Sequence, residues 1–123
     1  MFNFEKLDVW QKAIDFANLI SNETRAFPAE ERFSLTNQFR RAAVSISSNV
    51  AEGLSSSSKS DFARFVEIAT GSVFEAVSQA FIAQRQSFLR EDQFREIYAH
   101  GEELSRMLSG LRKSLLSTLN SQQ

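Results

Sequence analysis

Arg40 and Arg41 stand side by side within "FRRAAVSISSNVAEG", Phe39 to Gly53. Paired guanidinium groups are well suited to gripping phosphate oxygens. Neighbours on a helix point about 100° apart, so the pair would reach a polyanion from two directions. Lys59 and Arg64 follow the serine-rich "LSSSSKS" and would extend such a patch. The other role open to these cations is structural, as ion pairs with Glu52, Glu67 or Glu75 within the chain or between copies. Net charge is −1. General polyanion binders carry a basic excess, so nucleic-acid binding would depend on this local patch.

Other chemistry is sparse. His100 is the single histidine, with Glu96, Glu102 and Glu103 near it. A di-metal bundle site needs Glu-x-x-His from two helices, and the residue three before His100 is Ile97. The chain has no cysteine, which removes disulfides, thiol nucleophiles and cysteine-ligated metals. "TGSVFE" resembles no phosphate loop, and the G-x-S-x-G, GxGxxG and Walker patterns are missing. Asn49 and Glu52 share a helix face and would bind a ligand or bridge helix ends. The expectation is a chain that is not an enzyme and uses no cofactor and no metal.

The elements that must position these residues are helices. One proline and four glycines in 123 residues favour long uninterrupted segments. Leu7, Trp10, Ile14, Ala17 and Ser21 follow a three-four spacing with Val9, Ala13, Phe16 and Ile20 beside it, predicting a helix from about Lys6 to Arg25. Phe27-Pro28 ends it. A second helix starts near Ser34 or Thr36, carries Leu35, Phe39, Ala42, Ile46 and Val50 as its stripe, and stops at Gly53. Ser58 or Ser60 caps a third, with a seam of Phe62, Val66, Ala69, Val73, Ala76, Ala80 and Ala83. The fourth follows Arg90, with Phe94, Ile97, Gly101, Leu104, Leu108, Leu111 and Leu115 on its seam. The last five residues, "LNSQQ", should fray. Gly71 and Ser72 fall mid-helix, where glycine costs about 1 kcal/mol relative to alanine; close helix packing is the expected reason. The architecture predicted is all-α: one domain, 1–123, folded as an up-down-up-down antiparallel four-helix bundle.

Twelve phenylalanines exceed what one such interior needs. Phe74, Phe81 and Phe88 repeat at heptad spacing on a second stripe of the third helix, and Phe2, Phe4, Phe16 and Phe33 fall off the main stripes. Surplus apolar surface marks an interface, so the chain is expected to assemble with copies of itself through Phe74, Phe81 and Phe88. The start, "MFNFEKLDVW", lacks the basic residues and apolar run of a signal peptide. No apolar segment approaches bilayer-crossing length. A cytoplasmic protein without a membrane partner is expected.

"FEKLDVWQKA", "FPAEERFSLTNQFRRAAVSISSNVAEG" and "FARFVEIATGSVFEA" together resemble the four-helix-bundle proteins encoded by intervening sequences in bacterial 23S ribosomal RNA genes. The resemblance spans about Phe4 to Leu89. It is strongest at Arg40-Arg41-Ala42-Ala43, Ser45-Ile46, Asn49, Ala51-Glu52-Gly53, and Gly71-Ser72 with Glu75. It implies a bundle that assembles into a homopentameric ring, similar in fold to the accessory protein of diversity-generating retroelements, which binds a reverse transcriptase and nucleic acid. Two departures stand out. Ser47 occupies a position where the family often has proline, and Ser55, Ser56 and Ser57 one where it often has basic residues. The leading expectation is therefore a homo-oligomeric, pentameric scaffold with an RNA or protein partner unassigned. The alternative is a nucleic-acid-binding accessory protein using Arg40, Arg41, Lys59 and Arg64.

Overall fold

Four helices and no strand make up the described residues, 1–121, of the computed structural model. Helix α1 covers Asp8–Glu23. It is shorter at both ends than its periodicity predicts, because tighter 3-10 turns take over at Asn3–Lys6 and Thr24–Ala26. The Thr24 hydroxyl donates to the Ile20 carbonyl at 2.7 Å, covering one of the carbonyls that the helix end leaves bare. Val9, Ala13, Phe16 and Ile20 form the deep face, while Leu7, Trp10 and Ala17 are only half-buried. The two adjacent rows predicted for this helix are both apolar, and packing selected the second. Phe16 is consequently wholly buried core, not surplus surface.

Helix α2 covers Leu35–Ser55, α3 Lys59–Arg85 and α4 Glu91–Ser121. Ser58 caps α3 by accepting the Asp61 backbone N–H at 3.0 Å, as its residue type requires. At the start of α4 the Gln93 side chain accepts the Arg90 N–H at 2.8 Å. A hydrogen bond from the Arg90 guanidinium holds the Asp92 carboxyl below the usual carboxylate range. Helix α4 continues to Ser121, so residues 119–121 of the end expected to fray are helical; the same expectation for Gln122 and Gln123 lies outside the described residues. Helix α1 packs on α2 and α4, and α3 packs on α2 and α4. All four helices feed one core, built around Phe16, Phe39, Ile46, Val66, Ile97 and Leu104.

Two expectations are corrected at helix ends. Gly53 does not stop α2, which runs two residues further, and it has no left-handed backbone. Helix α3 stops at Arg85, so Phe88 no longer shares the helical phase of Phe74 and Phe81. Ser87 adopts a left-handed φ of 64°. Phe88 N–H then reaches the Ala83 carbonyl at 2.8 Å and Ser87 N–H the Gln84 carbonyl at 3.0 Å. This is the Schellman closure, and it turns the Phe88 ring inward against Phe27, centroids 5.5 Å apart. A serine held in that region is strained by about 1–2 kcal/mol. Ser87→Gly should therefore stabilise the protein by about 0.5–1 kcal/mol net of the added unfolded-chain entropy, read as a higher melting temperature.

Helix α3 also corrects the expectation about apolar length. By length and composition it could cross a membrane, with an 18-residue window of mean hydropathy 1.2. Its seam residues, from Phe62 through Ala83, are buried in the bundle core.

Candidate functional site

The four cations read as a phosphate patch do not converge. Arg40 is half-buried and binds the end of α1: its Nε donates to the Thr24 hydroxyl at 2.8 Å, and a terminal N–H points to the Ser21 carbonyl at 3.5 Å. Arg41 is exposed and shares a shallow depression with Arg40, Val44 and Ser45, which Lys59 and Arg64 do not line. Lys59 and Arg64 lie in the first turns of α3. Arg64 sits 3.7 Å from Asp61 and stacks over the Phe65 ring at 4.6 Å. Phe62 and Phe65 meet Gly53, twelve positions beyond Arg41 in α2, which is about 18 Å along the helix. None of the ion pairs expected for Arg40 or Arg41 is present among the described residues: Glu67 instead pairs with Arg112 at 3.6 Å. His100 is half-buried. Among the described residues no group of three acidic or histidine side chains gathers where a metal could be held.

The signature helix resolves into two kinds of residue. Asn49 donates to the Ser45 carbonyl at 2.8 Å and lies 3.0 Å from its hydroxyl. The Ser45 hydroxyl meets that of Ser72 at 2.8 Å. This Asn49–Ser45–Ser72 chain ties α2 to α3 and accounts for polar residues beside an apolar stripe. Ser47 is buried and donates back to the Val44 carbonyl at 3.1 Å. Glu52 is exposed and Glu75 accepts only from Gln79, at 3.4 Å. Asn49→Ala should cost about 1 kcal/mol by denaturant unfolding, whereas Glu52→Ala should stay within about 0.5 kcal/mol.

The two signature glycines also differ. A Cβ on Gly53 would lie 2.8 Å from both the Phe62 ring and the Phe65 Cβ, so α2 and α3 approach closely at Gly53. A Cβ on Gly71 would meet nothing within 4 Å. Close packing within the chain, the reason expected for Gly71, is therefore not the reason. Gly71 lies instead on the outer face of α3, where Ile68, Phe74, Phe81 and Ile82 are exposed, Phe74 by 65%. Phe81 packs edge-on against Phe94 and Tyr98 of α4, at 4.8 and 6.1 Å. Below this, Val73, Phe74, Val77, Tyr98 and Gly101 line an open groove of about 210 Å³. Val77 leans into the notch that Gly101 leaves, 2.6 Å from where a Cβ would stand. Phe74 and Phe81 thus lie on one exposed strip, and Phe88 does not.

A second concavity was not anticipated from the sequence. Arg25, Arg32 and Arg40 share a cleft of about 290 Å³ with Thr24, Pro28 and Thr36. It lies at the first turn of α2, whose N-cap, Ser34, makes no side-chain capping bond. The Thr36 hydroxyl is buried without a hydrogen-bond partner, a state that costs about 1–3 kcal/mol. Arg25 and Arg32 are isolated charges in the sequence, and only the fold sets them beside Arg40.

An all-α, four-helix chain whose site features are an apolar outer strip and an arginine cleft belongs to the helical-bundle class of proteins. It matches the family model of the 23S rRNA-intervening sequence proteins over residues 5–110, and it belongs to that family. A crystal structure of a protein of unknown function from the S23 ribosomal protein family of Bacteroides thetaiotaomicron shares the fold, with a TM-score of 0.79 at 24% identity over 85% of this chain and 95% of that one. No curated protein matches.

Proposed function

We propose that this chain is a non-enzymatic, cytoplasmic scaffold that assembles with copies of itself. In this reading its helices run up-down-up-down, and the copies close into a ring of five, the number implied by the family resemblance. The pairing of Ser45 with Ser72 and of Gly53 with Phe62 supports the antiparallel course of α2 and α3. The observation that carries the scaffold is the outer face of α3. Ile68, Phe74, Phe81 and Ile82 are all exposed there, beside a glycine against whose Cβ position none of the described residues packs within 4 Å. Exposed apolar area concentrated on one helix is a recognised mark of an interaction surface, and a bare glycine lets a second backbone approach. Light scattering on a sizing column tests the reading. A mass near five chains supports it, and the mass of a single chain overturns it.

A nucleic-acid-binding role is the second reading. Arg41 and Lys59 favour it, being exposed and, among the described residues, outside every ion pair. Phosphate contacts made by these residues would release counterions, so binding to RNA should fall steeply as salt rises. Apolar self-assembly should hold or tighten under the same change. RNA retention that is indifferent to salt, or to Arg41→Gln with Lys59→Gln, would exclude this route.

A further inference from the structure

We propose that the cleft between the α1–α2 connection and the first turn of α2 binds a phosphate group. Three guanidinium groups line it, from Arg25, Arg32 and Arg40, and no carboxylate does. Among the described residues none of the three forms an ion pair with an acid. Of the acids near it in sequence, Glu31 accepts the Ser34 hydroxyl at 2.6 Å and Glu23 accepts from Gln93, while Glu30 is exposed and does not line the cleft. Arg40 uses its Nε–H on Thr24 and directs one terminal N–H at Ser21. A guanidinium has five N–H donors, so further donors stay available. Arg32 rests near the Phe33 ring, 6.0 Å from its centroid, and is otherwise exposed.

Two further features make the cleft an anion site and not just a cluster of like charges. Its wall includes the first turn of the 21-residue helix α2, where unpaired backbone N–H groups and the helix dipole favour negative charge. Thr36, in that turn, is only 6% exposed and its hydroxyl has no partner. The hydroxyl is closed to solvent in this rotamer, so turning about χ1 toward the cleft would give it a phosphate oxygen as the partner it lacks. Planar, forked guanidinium groups suit phosphate better than a monovalent halide. The site is built within one chain and does not depend on assembly.

Calorimetric titration of the full chain with inorganic phosphate, against chloride at matched ionic strength, is the test. Binding of phosphate and not chloride is expected. The double substitution Arg25→Gln with Arg32→Gln, at two exposed positions, should weaken it at least tenfold without altering thermal stability. Thr36→Val removes only the unpartnered hydroxyl, so it should leave the fold intact and weaken phosphate several-fold. A trinucleotide with a 5′-phosphate, compared with its 5′-hydroxyl twin, identifies the source. Preference for the phosphorylated form assigns a terminal phosphomonoester, equal binding assigns the phosphodiester backbone, and binding of orthophosphate alone assigns a free ion. Phosphate binding no stronger than chloride, or unchanged by the double substitution, overturns the proposal.

Discussion

Alanine at Gly53 should lower the melting temperature, and leucine there should prevent a stable fold. The new Cβ would lie 2.8 Å from the Phe65 Cβ and from the Phe62 ring. The Phe65 Cβ is fixed to its backbone and cannot swing away, so α3 as a whole has to move. Overpacking of this kind costs about 1–3 kcal/mol. Alanine returns about 1 kcal/mol through its higher helix propensity, because Gly53 lies inside α2 in ordinary helical conformation. The net loss is up to about 2 kcal/mol, centred near about 1 kcal/mol, or up to roughly 8 °C for a chain of this size. Leucine carries three more carbons into the same space with little extra propensity, and the loss should exceed about 3 kcal/mol. Thermal unfolding followed by circular dichroism measures both. A melting temperature unchanged by leucine would mean that the two helices are not in close contact at this point.

The same glycine shows what the sequence could and could not reveal. Helix count and core stripes were legible because burial imposes the three-four period: Phe39, Ala42, Ile46 and Val50 of α2 are all buried, as their spacing predicts. The role of Gly53 was not. A glycine near the end of an apolar run reads equally as a stop or as a contact point, and only the position of Phe62 and Phe65 decides. Phe88 was misplaced for a related reason. Heptad spacing from Phe74 and Phe81 extrapolates a helix that ends three residues earlier, at Arg85, and nothing in serine's chemistry announces the left-handed turn at Ser87. The arginine cleft was illegible because it joins residues from two elements. Arg40 reaches Thr24 across sixteen positions, and Arg25 and Arg32 enter only through the path of the α1–α2 connection.

Aspartate at Phe74 should reduce the assembly to single chains while leaving the chain's own fold intact. Phe74 is 65% exposed, so little of its ring contributes to the core, and the substitution should change monomer stability by less than about 0.5 kcal/mol. In the proposed assembly this side chain would be an aromatic anchor of the kind that dominates binding, where truncation costs about 2 kcal/mol or more. An unpaired carboxylate at a desolvated contact adds a further penalty. Phe33, 87% exposed and outside the four helices, is the control: Phe33→Asp should leave the mass unchanged. Gly71→Ala separates an interface from a merely greasy helix. With nothing within 4 Å of its Cβ, alanine should stabilise an isolated chain by about 1 kcal/mol through propensity alone. Against a close-packed neighbour it should weaken assembly instead. Loss of mass on Gly71→Ala together with Phe74→Asp places the contact on the outer face of α3. Retention of the full mass by both variants would move it to another surface of the molecule.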